Sequence, residues 1–219
     1  MRGLTAILIG CLAGCGGTAP SSTSTPASGK ADSFANSPSL SATSSSLSSE
    51  FDLWNFMYTN VVDTVYPQLQ DYTLSLLAFD STEDFFRADV TIASLLTSAP
   101  NRTYRLRYNS ELLKDPPSDL AVQGILVHEL SHILDYTQDS SFQIIGIGLS
   151  SLCTDNADYE HHTDETALML GFSKGLKAYR TWLYAHVAPE YLDKKKRVYY
   201  TSDEIDAWVA ANPEWAQRP

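Results

Sequence analysis

The sequence predicts an α+β domain in which a small N-terminal sheet packs on one apolar helix and a helical part follows. Three observations predict it. The segments Tyr72 to Phe79, Phe85 to Ile92 and Tyr104 to Tyr108 are rich in aromatic and β-branched residues, the composition of strands. The strongly apolar run from Leu120 to Leu134 is too long for a strand and reads as a buried helix. From Asn156 through Tyr184 the pattern is helical, with a break expected at Gly175.

Taken in order, the chain opens with Arg2 and the apolar stretch Leu4 to Ala13, too short to span a bilayer as a helix but the length of a secretory signal core. Its end, Leu12-Ala13-Gly14-Cys15, resembles the bacterial lipobox. That resemblance implies removal of residues 1–14, lipid on Cys15, and a mature chain anchored in the cell envelope. Gly16 stands where an aspartate would imply inner-membrane retention, so the outer membrane is the favoured destination. Residues 15–49 are Ser, Thr, Ala and Pro with few apolar side chains, which cannot bury enough surface to offset the entropy of ordering. This segment is expected to be a disordered tether, and residues 50–219 one domain.

Phe51 to Leu69 carries apolar residues at mostly helical spacing and is expected to be a first amphipathic helix. In Tyr104 to Tyr108 the tyrosines and Leu106 share one face and Arg105 and Arg107 the other; the arginines either touch substrate or form a solvated face. Asp115-Pro116-Pro117-Ser118 opens the apolar helix, with Asp115 or Ser118 as its cap. Gly124 within that helix implies close packing or room near the site. Near the end of the chain, Thr201-x-x-Glu204 has the form of a capping box.

Inside the apolar helix stands His128-Glu129-Leu130-Ser131-His132. Residues four apart on a helix lie one turn above each other, so the two imidazoles can hold one zinc ion while Glu129 points toward a metal-bound water. Zinc lowers the pKa of such a water to about 7, and the carboxylate can take its proton. Catalytic zinc needs a third protein ligand. Twenty-eight residues beyond His132, Glu160, Asp164, Ala167 and Gly171 share a helical stripe: a ligand, a carboxylate placed to orient a zinc-bound histidine, and two small residues that permit close helix packing. If that segment is not helical, His161 or His162 takes the place of Glu160. Asp135 either reaches the metal region or forms a solvated helix end.

The HExxH set followed by Glu160-x-x-x-Asp164 resembles the gluzincin metallopeptidases. The wording Tyr159 to Ala167 is similar to small bacterial zinc-dependent proteases of that clan. The resemblance spans Tyr104 to Gly171 and implies a zincin-like fold, zinc bound by His128, His132 and Glu160, Glu129 as general base, and Asp164 behind a histidine. It also implies that an edge strand ahead of the metal helix pairs with the substrate, and that a C-terminal tyrosine or histidine stabilises the oxyanion. Tyr179, Tyr184, His186, Tyr199 and Tyr200 are the candidates. The metzincin pattern is absent: Asp135 and Gln138 stand where it needs glycine and histidine or aspartate.

The expected activity is peptide-bond hydrolysis on a peptide or protein substrate. The competing reading is a lipid-anchored zinc-binding protein without activity, which would not need Glu129; a third treats HExxH as accidental. A net charge of −11 makes nucleic acid an unsuitable partner. Lys194-Lys195-Lys196-Arg197 reads as a solvated loop, or as a contact to anionic headgroups. Cys153 is the one thiol left in the mature domain, so an intramolecular disulfide is excluded. The domain is expected to be a monomer.

Overall fold

The computed structural model describes residues 41–215 apart from 43, 92, 142 and 147–155. The leader at 1–14, Cys15, the tether up to residue 40, and Cys153 lie outside the described residues. The fold is α+β as the sequence predicts: a three-stranded sheet and a mostly helical C-terminal part.

Helix α1, Glu50–Met57, is capped by the Ser49 hydroxyl on Asp52 N and runs into a π-turn at Tyr58–Val62. The single helix expected to reach Leu69 stops here. Pro67, which cannot donate a backbone N–H, starts a separate 3₁₀ turn at Pro67–Asp71. Strands β1 (Thr73–Phe79), β2 (Phe86–Val90) and β3 (Thr103–Asn109) follow. Their order is β1-β3-β2, with β1 parallel and β2 antiparallel to β3.

The strand ahead of the metal helix is therefore central, not the expected edge. Tyr104, Leu106 and Tyr108 are buried, and both flanks of β3 are occupied. The two arginines of its other face both pair with Asp89 on β2, and Arg107 also lies over the Phe79 ring. They form a charged sheet face.

Helix α2, Asp119–Gln138, carries the HExxH set and is capped by Ser118. It packs on β2 and β3 and on the later helix Ser173–His186. Its first turn is also held from outside the domain boundary expected at Glu50. The N–H groups of Asp119 and Leu120 donate to the carbonyls of Ser44 and Ser41, Ser46 N donates to Asp119 Oδ1 at 2.7 Å, and Leu47 is buried. Helix N-termini leave such N–H groups without partners, so Ser41, Ser44, Ser46 and Leu47 belong to the folded structure.

Helices α3 (Ala157–Met169), α4 (Ser173–His186), α5 (Pro189–Val198) and α6 (Ser202–Ala211) complete the chain. The break falls at Gly171 and not at Gly175. Gly171 takes φ 92°, and Gly171 N and Phe172 N donate back to Leu168 O and Ala167 O, the paired bonds of a Schellman C-cap. Gly175 is inside α4, facing Gly124 on α2: a Cβ on Gly124 would lie 2.3 Å from the Gly175 carbonyl carbon. The capping box at Thr201 and Glu204 is present. The basic run expected as a loop lies within α5. Among the described residues no helix is long and apolar enough to cross a membrane.

Because the atoms facing Gly124 are backbone, they cannot step aside without moving α4. Gly124→Ala is expected to destabilise the domain by about 3 kcal/mol, the upper part of the usual overpacking range, measured by urea unfolding. An unchanged midpoint would contradict this helix contact.

Candidate metal centre

Helix geometry places His128 and His132 on one face of α2, with ring centroids 4.9 Å apart. Both are buried, at 1% and 5% exposure. Helix α3 brings Glu160 across from them, and Glu160 Oε2 lies 3.2 Å from Nε2 of each histidine. Among the described residues, His128, His132 and Glu160 form a group whose ligand atoms all lie within 4.8 Å of one another. This group could hold a metal ion. Atoms bound to one tetrahedral zinc at about 2.0–2.2 Å stand roughly 3.3–3.5 Å apart, and the two histidine-to-Glu160 separations of 3.2 Å are close to that spacing.

The alternatives fall away from this point. His161 stacks on Tyr200 at 4.5 Å between centroids, His162 is exposed, and neither joins the ligand group. Asp135 is part-buried near His132 and Tyr159 but does not join it either.

Behind the ligands lies a second layer. Asp164 is fully buried, its Oδ1 2.8 Å from His128 Nδ1 and 2.7 Å from Arg180 Nη2, and its Oδ2 accepts from Tyr200 N at 2.9 Å. The His128 contact is close but off the line of a ring N–H, so charge carries it more than hydrogen-bond alignment. His132 Nδ1 meets the Thr163 hydroxyl at 3.4 Å, and that hydroxyl donates to Tyr159 O. Arg180 is buried to 1% exposure on the inward stripe of α4, which also carries Leu176, Tyr179 and Leu183. A lone arginine in an apolar stripe was the available sequence signal for it. Thr163 carried no such signal.

The charges are strongly coupled. Burial disfavours a charged His128, but the Asp164 carboxylate and then Glu160 outweigh it and raise the imidazole to about 10. Burial likewise opposes ionisation of Glu160, yet His132 and His128 hold its carboxyl far below the ordinary range. For Asp164, burial is overcome by Arg180 and His128, which keep it ionised. Burial pushes the Glu129 carboxyl up, against the pull of the two histidines.

Glu129, 6% exposed, lines a cavity of about 20 Å³ with Asp84, Phe85, Phe86, Ile125, Tyr179, Arg180, Lys195 and Tyr199 among its walls, room for one or two waters. Of the five oxyanion candidates, Tyr199 is the one whose ring meets a metal-centre histidine, 5.8 Å from His128. Tyr200 bonds Glu165, His186 pairs with Asp115, Tyr184 lies under Lys196, and Tyr179 packs on Phe86 and Trp182. The chain matches no protein-family model, no curated protein and no solved structure.

Two predictions follow from this geometry. Glu160→Ala should lose most of the bound zinc, while His161→Ala and His162→Ala keep it, and Asp164→Asn should weaken affinity roughly 10- to 100-fold; competition with a chromophoric chelator measures all four. Second, a metal needs the lone pair of His128, so zinc binding at pH 7 should release about one proton, read by calorimetry in buffers of different protonation enthalpy. The same shift fixes a stability trend. Since the folded value of about 10 exceeds the ordinary 6.5, the metal-free protein holds this contribution fully below pH 6.5 and loses it as the pH rises through about 10.

Proposed function

We propose that this chain is a zinc-dependent peptidase of the gluzincin type. The convergence of His128, His132 and Glu160, with a buried Glu129 on the same helix as the two histidines, carries the reading, because a site that only stored metal has no use for that carboxylate. Zinc held there would supply Lewis-acid polarisation of a substrate carbonyl and a water acidified to about pKa 7. Glu129 takes the proton of the attacking water and passes it to the departing amine. Its burial raises its basicity toward that task. Asp164 holds the His128 ring, and Thr163 contacts that of His132. Tyr199 lies beside His128 and is the donor to the developing oxyanion. The substrate backbone adds to β2, the edge strand that packs on α2 and supplies Phe86 to the Glu129 cavity.

We assign the protein to the bacterial cell envelope, anchored through lipid on Cys15, on the strength of Leu12-Ala13-Gly14-Cys15. Among the described residues no helix could serve as a second anchor, so on this reading membrane attachment depends on Cys15.

Glu129→Gln should keep its zinc and its fold but lose about 10²- to 10⁴-fold in peptidase rate, the usual contribution of a general base. Metal content and turnover on a broad peptide library test it; equal turnover would refute the mechanism. Cys15→Ser should move the protein from the membrane fraction to the soluble one, and persistence in membranes after salt washing would point to another anchor.

A further inference from the structure

The one dense basic run in this acidic chain is not uniform. Lys194, Lys196 and Arg197 are exposed, whereas Lys195 is 4% exposed. Burying an ammonium is costly unless an anion is in contact, and Lys195 Nζ lies 2.5 Å from Asp84 Oδ1 and 3.5 Å from Glu83 Oε1. Neither a solvated loop nor a headgroup contact describes it.

Asp84 is itself a fixed point. Its N–H donates to Ser81 Oγ, its carbonyl accepts from Asn109 Nδ2, and its Oδ2 accepts from Arg87. Phe85 and Phe86 follow directly and line the Glu129 cavity, and Phe86 is the first residue of β2. On the other side of the pair, Tyr199 stands one helical turn beyond Lys195, and its N–H donates to the Lys195 carbonyl at 3.1 Å. The Tyr199 ring lies 5.5 Å from Lys195 Nζ, 4.5 Å from the Arg180 guanidinium and 5.8 Å from the His128 ring. A single buried side chain therefore joins the start of β2 to Tyr199 across the cavity that holds Glu129. Two further links join this region to the loop: the ion pair of exposed Lys194 with Glu83, of a kind that contributes little, and the backbone hydrogen bond from Ala188 N, just ahead of α5, to Thr82 O at 3.3 Å.

We propose that Lys195 is a positioning residue for peptide hydrolysis: its ion pair with Asp84 holds Tyr199 in register with β2 and Glu129. The proposal rests on the peptidase reading above. Among the described residues the ion-pair and ring partners of Lys195 are Glu83, Asp84 and Tyr199, none of them a candidate metal ligand, so it acts through Tyr199.

The experiment compares wild type, Lys195→Met, Lys195→Arg, Tyr199→Phe and the double variant Lys195→Met/Tyr199→Phe in the full chain, measuring zinc affinity by chelator competition and kcat and KM on one cleaved peptide. Misplacing a catalytic group by about 1 Å can cost roughly 10²-fold. Lys195→Met is accordingly expected to lose about 10- to 100-fold in kcat, with KM and zinc affinity within about threefold of wild type. Lys195→Arg should restore most of the rate. The double variant should be no slower than Tyr199→Phe alone, the non-additivity of two residues on one path. Independent, multiplying losses would overturn the proposal, as would a Lys195→Met loss of zinc matching its loss of rate. Asp84→Asn breaks the same pair from the other side and must show the same non-additivity; it decides the matter if Lys195→Met does not fold. If wild type binds zinc but cleaves no peptide, the peptidase reading fails and this proposal with it; an active wild type with additive losses sinks the proposal alone.

Discussion

The architecture around the candidate metal centre depends on one buried carboxylate. Asp164 has no exposed surface and accepts from the Arg180 guanidinium and the Tyr200 backbone N–H while it touches the His128 ring. These partners come from α4, from the turn between α5 and α6, and from α2. An ionised carboxylate in the interior is tolerable only if its charge and lone pairs are met, so three separate elements are required to arrive at one point. The candidate ligands His128, His132 and Glu160 then inherit their geometry from that requirement.

The surroundings carry the same logic outward. Arg180 answers Asp164 and lies over the Tyr199 ring, Lys195 lies on that ring from the helix one turn back, and Asp84 answers Lys195. A strongly acidic chain thus concentrates two buried cations beside its candidate site, where each neutralises a carboxylate. Charge inside the domain is arranged locally and has little to do with the net charge outside it.

Much of this was readable in the sequence because it rests on short-range regularities. The i, i+4 histidines, the Glu160-x-x-x-Asp164 stripe and the Thr201 box need only helical periodicity, and so they appear where expected. Most of what the sequence misplaced depended on contacts made at long range. Strand order was hidden because β1 and β2 flank β3, and no local pattern in Tyr104 to Tyr108 tells a central strand from an edge. Gly171 and Gly175 look alike until one takes a left-handed φ and the other meets a helix. Lys195 reads as one of four equivalent cations until Asp84, 111 positions away, is brought to it. Ser41, Ser44 and Ser46 look like linker because polar and backbone groups, rather than apolar side chains, attach them to α2.

The contact between Gly124 and Gly175 has an evolutionary consequence. Where backbone meets backbone, no choice of side chain can adjust the spacing, because each position is closed to any Cβ while the opposite helix stays in place. Substitution at either site must be accompanied by a shift of α4, which also carries Arg180 and hence the support of Asp164. Related chains should therefore keep both glycines together or lose them together with a rebuilt Asp164 pocket, so the two positions form a linked pair in descent although neither touches the ligands.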